Sequence, residues 1–353
     1  MSKKRDGTMY KVGICGHFGF GKELVNGQTD KTNAVYKALE KALGGEQIKT
    51  LDTSGWQNNP AKMFLGCRKL LKDGENVIMM PSRGGFKIFP AVFEALNAGL
   101  NRRLHYVVVG GWLADRLQEN PKLIPPIKRL DRVFVELEPM REALIKLGVE
   151  NAVYMPNFRE TNALNPDELV YGNEPYRLCT FSRIMQDKGI EEAIEAVRIA
   201  NKYFGRTVYS LDIYGKIEPE YQEKFEKLCK GFEPYISYKG FINTNNSTDE
   251  LKNCFALLFP TVCEGEGFAG TIVDAFAAGI PVIATDWHYN GYIIRNGIDG
   301  IVYDPERKEL LTEILIKSAE NPHMLNKMKP ACLERAAHFE ADTAVKTLLN
   351  ELR

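Results

Sequence analysis

Residues 255–286 read F-A-L-L-F-P-T-V-C-E-G-E-G-F-A-G-T-I-V-D-A-F-A-A-G-I-P-V-I-A-T-D, and the rest of the chain is organised around them. Phe255–Phe259 is a short unbroken apolar run, the pattern of a strand buried on both faces of a parallel sheet. Glu264–Gly270 holds three glycines and two carboxylates, too polar and too flexible for a core element. Thr271 opens a helix, and Asp274 three residues later completes the pattern of a capping box. Gly279 and Pro281 stop that helix, and Val282–Ala284 is the next strand. A glycine-rich loop feeding a helix start offers free N–H groups and the positive end of a dipole, which suits phosphate. The carboxylates of the same loop repel phosphate and are left for hydroxyl groups. A sugar nucleotide carries both kinds of group.

The 353 residues suit two domains rather than one. The chain is 44% hydrophobic and 26% charged, as soluble globular proteins are. A formal net charge of zero argues against nucleic acid as the main partner. Seven cysteines are scattered without a C-x-x-C pair, which signals neither a disulfide framework nor a zinc site and fits a reducing cytoplasm. The charged start, Met1–Gly7, has no apolar segment behind it, so no secretory signal is expected. No apolar run approaches the ~18–20 residues of a membrane helix.

Strand and helix patterns alternate along the whole chain. Expected strands are Tyr10–Gly16, Ile48–Leu51, Val77–Met80, Tyr106–Val109, Arg132–Val135 and Ala152–Met155, with helices at Lys31–Leu43, Pro60–Leu71, Phe86–Leu96 and Pro139–Leu147 between them. Pro156–Pro175 is polar and irregular and reads as a linker. The alternation then restarts with strands at Arg177–Phe181, Val208–Tyr214 and Ile236–Tyr238 and helices at Gly189–Tyr203 and Glu218–Cys229. Helices at about Glu309–Ala319 and Met324–Arg353 close the second half. The fold class is α/β: two doubly wound, Rossmann-like domains, with ligand expected at the carboxyl ends of the strands in a central cleft between them.

The run E-G-F-x-G-x-x-x-D followed by A-x-x-x-G-x-P-V-I-A-T-D resembles the E-x7-E signature of the retaining GT-B glycosyltransferases of family 4. Glu266 matches the first acid and Asp274 the second, with Asp standing where the family usually has Glu. Upstream, F-S-R-I-M-Q-D-K-G places Arg183 and Lys188 on the family's R-x-x-x-x-K-G pair. The resemblance implies that Arg183 and Lys188 hold the donor diphosphate, that Glu266 bonds hydroxyls of the transferred sugar, and that Asp274 bonds the ribose. Phe268, Ala269, Gly270 and Thr271 would offer backbone N–H groups to sugar and phosphate. Phe241 and Ile242, in Y-K-G-F-I, resemble the loop that packs the nucleobase. The resemblance further implies an acceptor domain over 1–160, a donor domain over 161–336, and a last helix, about 337–353, packed back on the first.

N-G-Q-T, Asn26–Thr29, resembles the glycine pair before the family's first helix, so Gly27 and Gln28 would face phosphate or acceptor. Many relatives carry a cleft histidine where this chain has Gly110, Gly111 and Trp112; the glycine pair allows close backbone approach, and Trp112 is either a sugar platform or core. His105, at the other end of that strand, reads as structural, and His17 as a surface residue. Arg83 and Lys87 form a cationic turn of undecided role. Met63–Lys72 mixes apolar residues with Arg68, Lys69 and Lys72, which reads as a solvated amphipathic helix or as a peripheral membrane contact.

G-H-F-G-F-G-K, Gly16–Lys22, fits the P-loop string, but Glu23 replaces the Ser or Thr that would bind magnesium, and the helix is expected only from Lys31. A P-loop kinase or NTPase is thus an alternative, as are a non-catalytic GT-B partner subunit and a UDP-sugar epimerase. The leading expectation is a retaining, metal-independent, cofactor-free transferase of the cytoplasm or its membrane face. It would move sugar from a nucleotide diphosphate, UDP foremost, to a glycan, lipid-linked or protein-linked acceptor in bacterial surface polysaccharide or glycoconjugate assembly. Donor sugar, acceptor, linkage and oligomeric state are not encoded in these residues.

Overall fold

The structure is a computed structural model and describes residues 9–20, 27–158, 162–242 and 246–352. The chain divides into two compact units, Met1–Arg159 with Ala341–Arg353, and Glu160–Glu340. Each is a six-stranded parallel sheet flanked by helices.

The first unit contains β1 (Tyr10–Gly16), β2 (Ile48–Asp52), β3 (Gly74–Met80), β4 (Arg103–Val107), β5 (Arg132–Val135) and β6 (Ala152–Tyr154), in spatial order β2-β1-β3-β4-β5-β6. Val12 and Ile14 of β1 and Ile78 and Met80 of β3 pack against Val35 and Leu39 of the helix Gly27–Leu43. The last helix, Ala341–Glu351, adds Ala344, Val345 and Leu348 to the same core. At about 1.5–3 kcal/mol per buried aliphatic side chain, this helix contributes substantially to the unit it joins.

The second unit contains β7 (Tyr176–Phe181), β8 (Tyr209–Tyr214), β9 (Ile236–Gly240), β10 (Ala256–Phe259), β11 (Val282–Thr285) and β12 (Gly300–Tyr303), in order β12-β11-β10-β7-β8-β9. This is the dinucleotide-fold order. From β7 the chain builds outward through β8 and β9, then returns to β7's other side with β10. The reversal opens a crevice at the carboxyl ends of β7 and β10, where open α/β sheets bind ligands.

Two helix expectations need correction. The first helix starts at Gly27, not Lys31, because Gln28 Nε2 donates to Met80 O (3.0 Å) and Thr32 Oγ1 to Gln28 O (2.8 Å), polar contacts that apolar periodicity cannot register. The late helix start therefore no longer weighs against a P-loop; Gly21, Lys22, Glu23 and Asn26 lie outside the described residues. The single C-terminal helix is three: His323–Asn326, Lys329–Ala337 and Ala341–Glu351.

Candidate functional site

Lys188 owes its position to Gly189. The chain leaves β7, makes a short turn over Gln186–Lys188, and enters the helix Ile190–Phe204 through Gly189 at φ +71°. A Cβ on Gly189 would lie 2.2 Å from the Pro260 carbonyl oxygen, so only glycine lets the exits of β7 and β10 touch. Val262 N donates to Asp187 O (2.8 Å) and Thr261 Oγ1 to the same oxygen (3.2 Å), fastening the two loops together.

Across this junction the Lys188 ammonium bonds the Glu266 carboxylate, with side-chain exposures of 7% and 13%. Thr261 Oγ1 reaches the same carboxylate oxygen at 3.2 Å, and the Phe259 ring centroid lies 5.5 Å from Lys188 Nζ. A cation and an anion thus sit together, desolvated, at the reversal point of the sheet. A phosphate offers the lysine a stronger partner, and sugar hydroxyls offer the carboxylate theirs.

Arg183 has another partner. Its Nη1 donates to Glu218 Oε1 at 3.0 Å, and its side chain is nearly half exposed. Phe268 and Ala269 are buried, the Phe268 ring lying edge-on to Phe339 at 5.0 Å.

The helix begins at Gly270 with Ala269 as its N-cap and no side-chain cap, so the expected capping box does not form. The reason is competition. Thr271 Oγ1 donates to the Phe181 carbonyl at the end of β7, and the fully buried Asp274 accepts from Ser247 Oγ (2.9 Å). Asp274 thereby ties its helix to the short helix Ser247–Leu251. Beside that helix, Phe241 and Ile242 line a cavity of ≈ 430 Å³ shared with Arg177, Tyr214, Lys239, Asn246 and Glu250.

In the first unit, Gln28 reaches the end of β3, and Gly110 (φ +85°) follows β4 with its N–H on Glu136 Oε2 at 3.2 Å. Gly111 and Trp112 lead into the helix Leu113–Glu119; Trp112 is half-buried, stands edge-on to Phe86 and donates to Val109 O. His105 is fully buried.

Sequence reasoning missed the pair behind Gly110. Lys31 and Glu136 are buried 3.7 Å apart, with Lys31 also on Asn157 Oδ1 (2.8 Å). Burial pushes Lys31 down to about 8 against the opposing pull of Glu136, and pushes the Glu136 carboxyl up. The signal was a lone carboxylate directly after the apolar run V-F-V. Arg177 and Asp212, polar residues inside apolar strands, gave the same kind of signal in the second unit.

Residues 161–335 match the family described as glycosyl transferases group 1. A crystal structure of Anabaena Alr3699/HepE in complex with UDP matches with a TM-score of 0.72 at 15% identity, covering 97% of this chain and 99% of that one. Two curated relatives match in part. An amylovoran biosynthesis glycosyltransferase, AmsK, of Erwinia amylovora is 26% identical over 218 residues, 58% of this chain and 49% of that protein. An exopolysaccharide phosphotransferase of Streptomyces coelicolor is 27% identical over 165 residues, 46% of this chain and 17% of that protein. The chain thus spans half or less of the length of these relatives, while the solved structure establishes the GT-B fold.

Proposed function

Because residues 161–335 belong to the glycosyl transferases group 1 family, we propose that this chain is a glycosyltransferase that takes a sugar from a nucleotide diphosphate, with UDP as the nucleotide. The observation that carries the reading is the buried Lys188–Glu266 pair at the reversal point of the second sheet. On donor binding, Lys188 turns to the diphosphate and Glu266 to the sugar hydroxyls. Arg183, exchanging Glu218 for phosphate, adds a second cation. The bond from the sugar's anomeric carbon to the phosphate oxygen breaks as the acceptor hydroxyl attacks on the same face. The departing phosphate oxygen takes the acceptor proton, and because attack and departure share one face, configuration is retained. Preorganised cations in place of a metal hold the leaving charge. The UDP complex of HepE and the polysaccharide roles named for the relatives support this reading.

The acceptor in this reading is a hydroxyl of a glycan, of a lipid-linked glycan or of a protein. No described helix is long and apolar enough to cross a membrane. The helix Pro60–Asp73 exposes Phe64 and Leu65 beside Lys62, Arg68 and Lys69, which supports peripheral contact with an anionic surface as part of the proposal. Sedimentation with anionic vesicles that survives Phe64→Ser/Leu65→Ser would remove that part.

The first experiment is a thermal-shift panel of UDP, GDP, ADP and CMP with and without EDTA. A ligand bound only by the native state raises Tm by mass action. A UDP shift that persists in EDTA and is lost in Lys188→Ala supports the reading. No shift with any nucleotide, or one that needs magnesium, rejects it.

A further inference from the structure

The first sheet reverses as the second does. From β1 the chain builds out to β2 and returns to β1's other side with β3, so a crevice opens at the carboxyl ends of β1 and β3, where Gly16 pairs beside Met80. Two features that the family resemblance does not account for stand there. On the β1 side, Gly19 at φ +67° turns the chain so that the Phe20 ring stacks on Phe18, with centroids 4.9 Å apart and planes inclined by 11°. Phe18 is buried, and Phe20 is 61% exposed. Asp52 fixes the turn by accepting from Phe18 N (3.1 Å), Gly19 N (3.4 Å) and Phe20 N (3.0 Å). Those N–H groups are thereby closed to phosphate, and the turn offers an aromatic face instead. On the β3 side, Ser82 O accepts from Gly85 N (2.9 Å) and Phe86 N (3.1 Å), and the Phe86 ring packs against Tyr106 and Trp112. This anchored turn carries Arg83 and Lys87, both exposed and with no side-chain partner among the described residues. Arg116, Arg129, Arg132 and Arg141 of the same unit each hold a carboxylate.

We propose that this crevice receives the acceptor and that the acceptor is an acidic glycan, one sugar ring stacking on Phe20 while Arg83 and Lys87 hold a carboxylate or phosphate that the glycan carries. The inference rests on the glycosyl-transfer reading and names the acceptor's chemistry. The C–H face of a pyranose is flat and apolar, and it suits an exposed ring whose own orientation is already fixed. A single such ring does not make the broad apolar patch that a lipid chain needs. The planar fork of arginine pairs with carboxylate or phosphate through two N–H bonds, and a lysine on the same turn adds a second charge. Unlike Arg183, which must first give up Glu218, these two cations gain an acidic partner without breaking an ion pair. A neutral glycan leaves that attraction unused.

Titration calorimetry of the full chain in saturating UDP tests this with matched tetrasaccharides: one of neutral glucose units, one alternating glucuronate and N-acetylglucosamine, and one of glucose units bearing a phosphate. Phe20, Arg83 and Lys87 are exposed, so Phe20→Ser and the double variant Arg83→Ser/Lys87→Ser should keep the wild-type Tm. An acidic tetrasaccharide should bind the wild type about tenfold tighter than the neutral one at low salt, and added salt should shrink that lead. The double variant should bring acidic binding down to the neutral level. Phe20→Ser should weaken acidic and neutral binding alike, by about three- to tenfold. Whichever of the glucuronate and phosphate arms binds tighter identifies the acid. Equal affinity for acidic and neutral glycans, binding unchanged in both variants, no binding of any tetrasaccharide, or binding to phosphatidylglycerol vesicles alone would overturn the inference. With UDP still raising Tm, each of those results leaves the transferase reading standing. A wild type that binds no UDP would remove both.

Discussion

Lys188 and Glu266 occupy each other in the ligand-free protein, and that sets how their substitutions behave. Lys188→Ala should lower turnover by about 10²–10³, the size of one lost charge-stabilising group. It should also destabilise the second unit, because Glu266 is left desolvated beside a neutral side chain. Lys188→Met combined with Glu266→Gln should recover stability and not activity, and a urea titration beside a donor-turnover assay separates the two effects. Gly189 is stricter. Its φ of +71° and the Pro260 carbonyl 2.2 Å from any Cβ mean that Gly189→Ala must part the exits of β7 and β10. We expect a loss of about 2–4 kcal/mol in chemical denaturation together with weakened UDP binding. A Gly189→Ala protein as stable as wild type would show that the two loops do not need their contact.

Among elements, those that announced themselves were the ones with strong local patterns. The central strands β3, β10 and β11 read as apolar runs because parallel strands there are buried on both faces, and Gly279 with Pro281 marked a helix end without help from tertiary structure. Thr271 and Asp274 show where such reading stops. Their spacing fits a capping box, yet each has a distant partner, Phe181 and Ser247, whose approach depends on sheet order. Short elements failed for the same reason: Ser247–Leu251 and β12 are too brief to carry a period and exist because neighbours cover them. Glu266 and Lys188 were singled out by their spacing, whereas their mutual bond and the Arg183–Glu218 pair were not, since spacing records position and not rotamer. Ser247→Ala should leave Asp274 short of one buried hydrogen bond. The expected cost is about 1–2 kcal/mol, read from the urea midpoint, and Ser247→Thr should restore part of it.

For the molecule as a whole, buried titratable groups link the stability of each unit to pH. His105 is fully buried in the first unit, and desolvation holds it down to about 4 against the pull of Asp131 and Glu351. The unfolded histidine takes up its proton near pH 6.5, while the folded one resists to about 4. The contribution is therefore fully present above 6.5 and is lost as pH falls through that window, at up to about 1.4 kcal/mol per pH unit. His105→Leu should flatten the slope of stability against pH between 6.5 and 4, relative to wild type; parallel profiles would show that the histidine titrates normally.

The last helix, Ala341–Glu351, completes the core of a unit whose other strands and helices all precede Glu160. On a ribosome that order has a temporal meaning. When Val12, Val35 and Leu39 have emerged, the residues that will cover them have not been translated, and the whole of the second unit must pass first. The second unit can therefore reach its native state during synthesis, while the first waits with part of its apolar core uncovered until Ala341–Glu351 has cleared the exit tunnel. Stalled nascent chains ending at Glu340 should yield a protease-resistant second unit and a sensitive first one. Of the two units, the one translated first would then be the one that folds last.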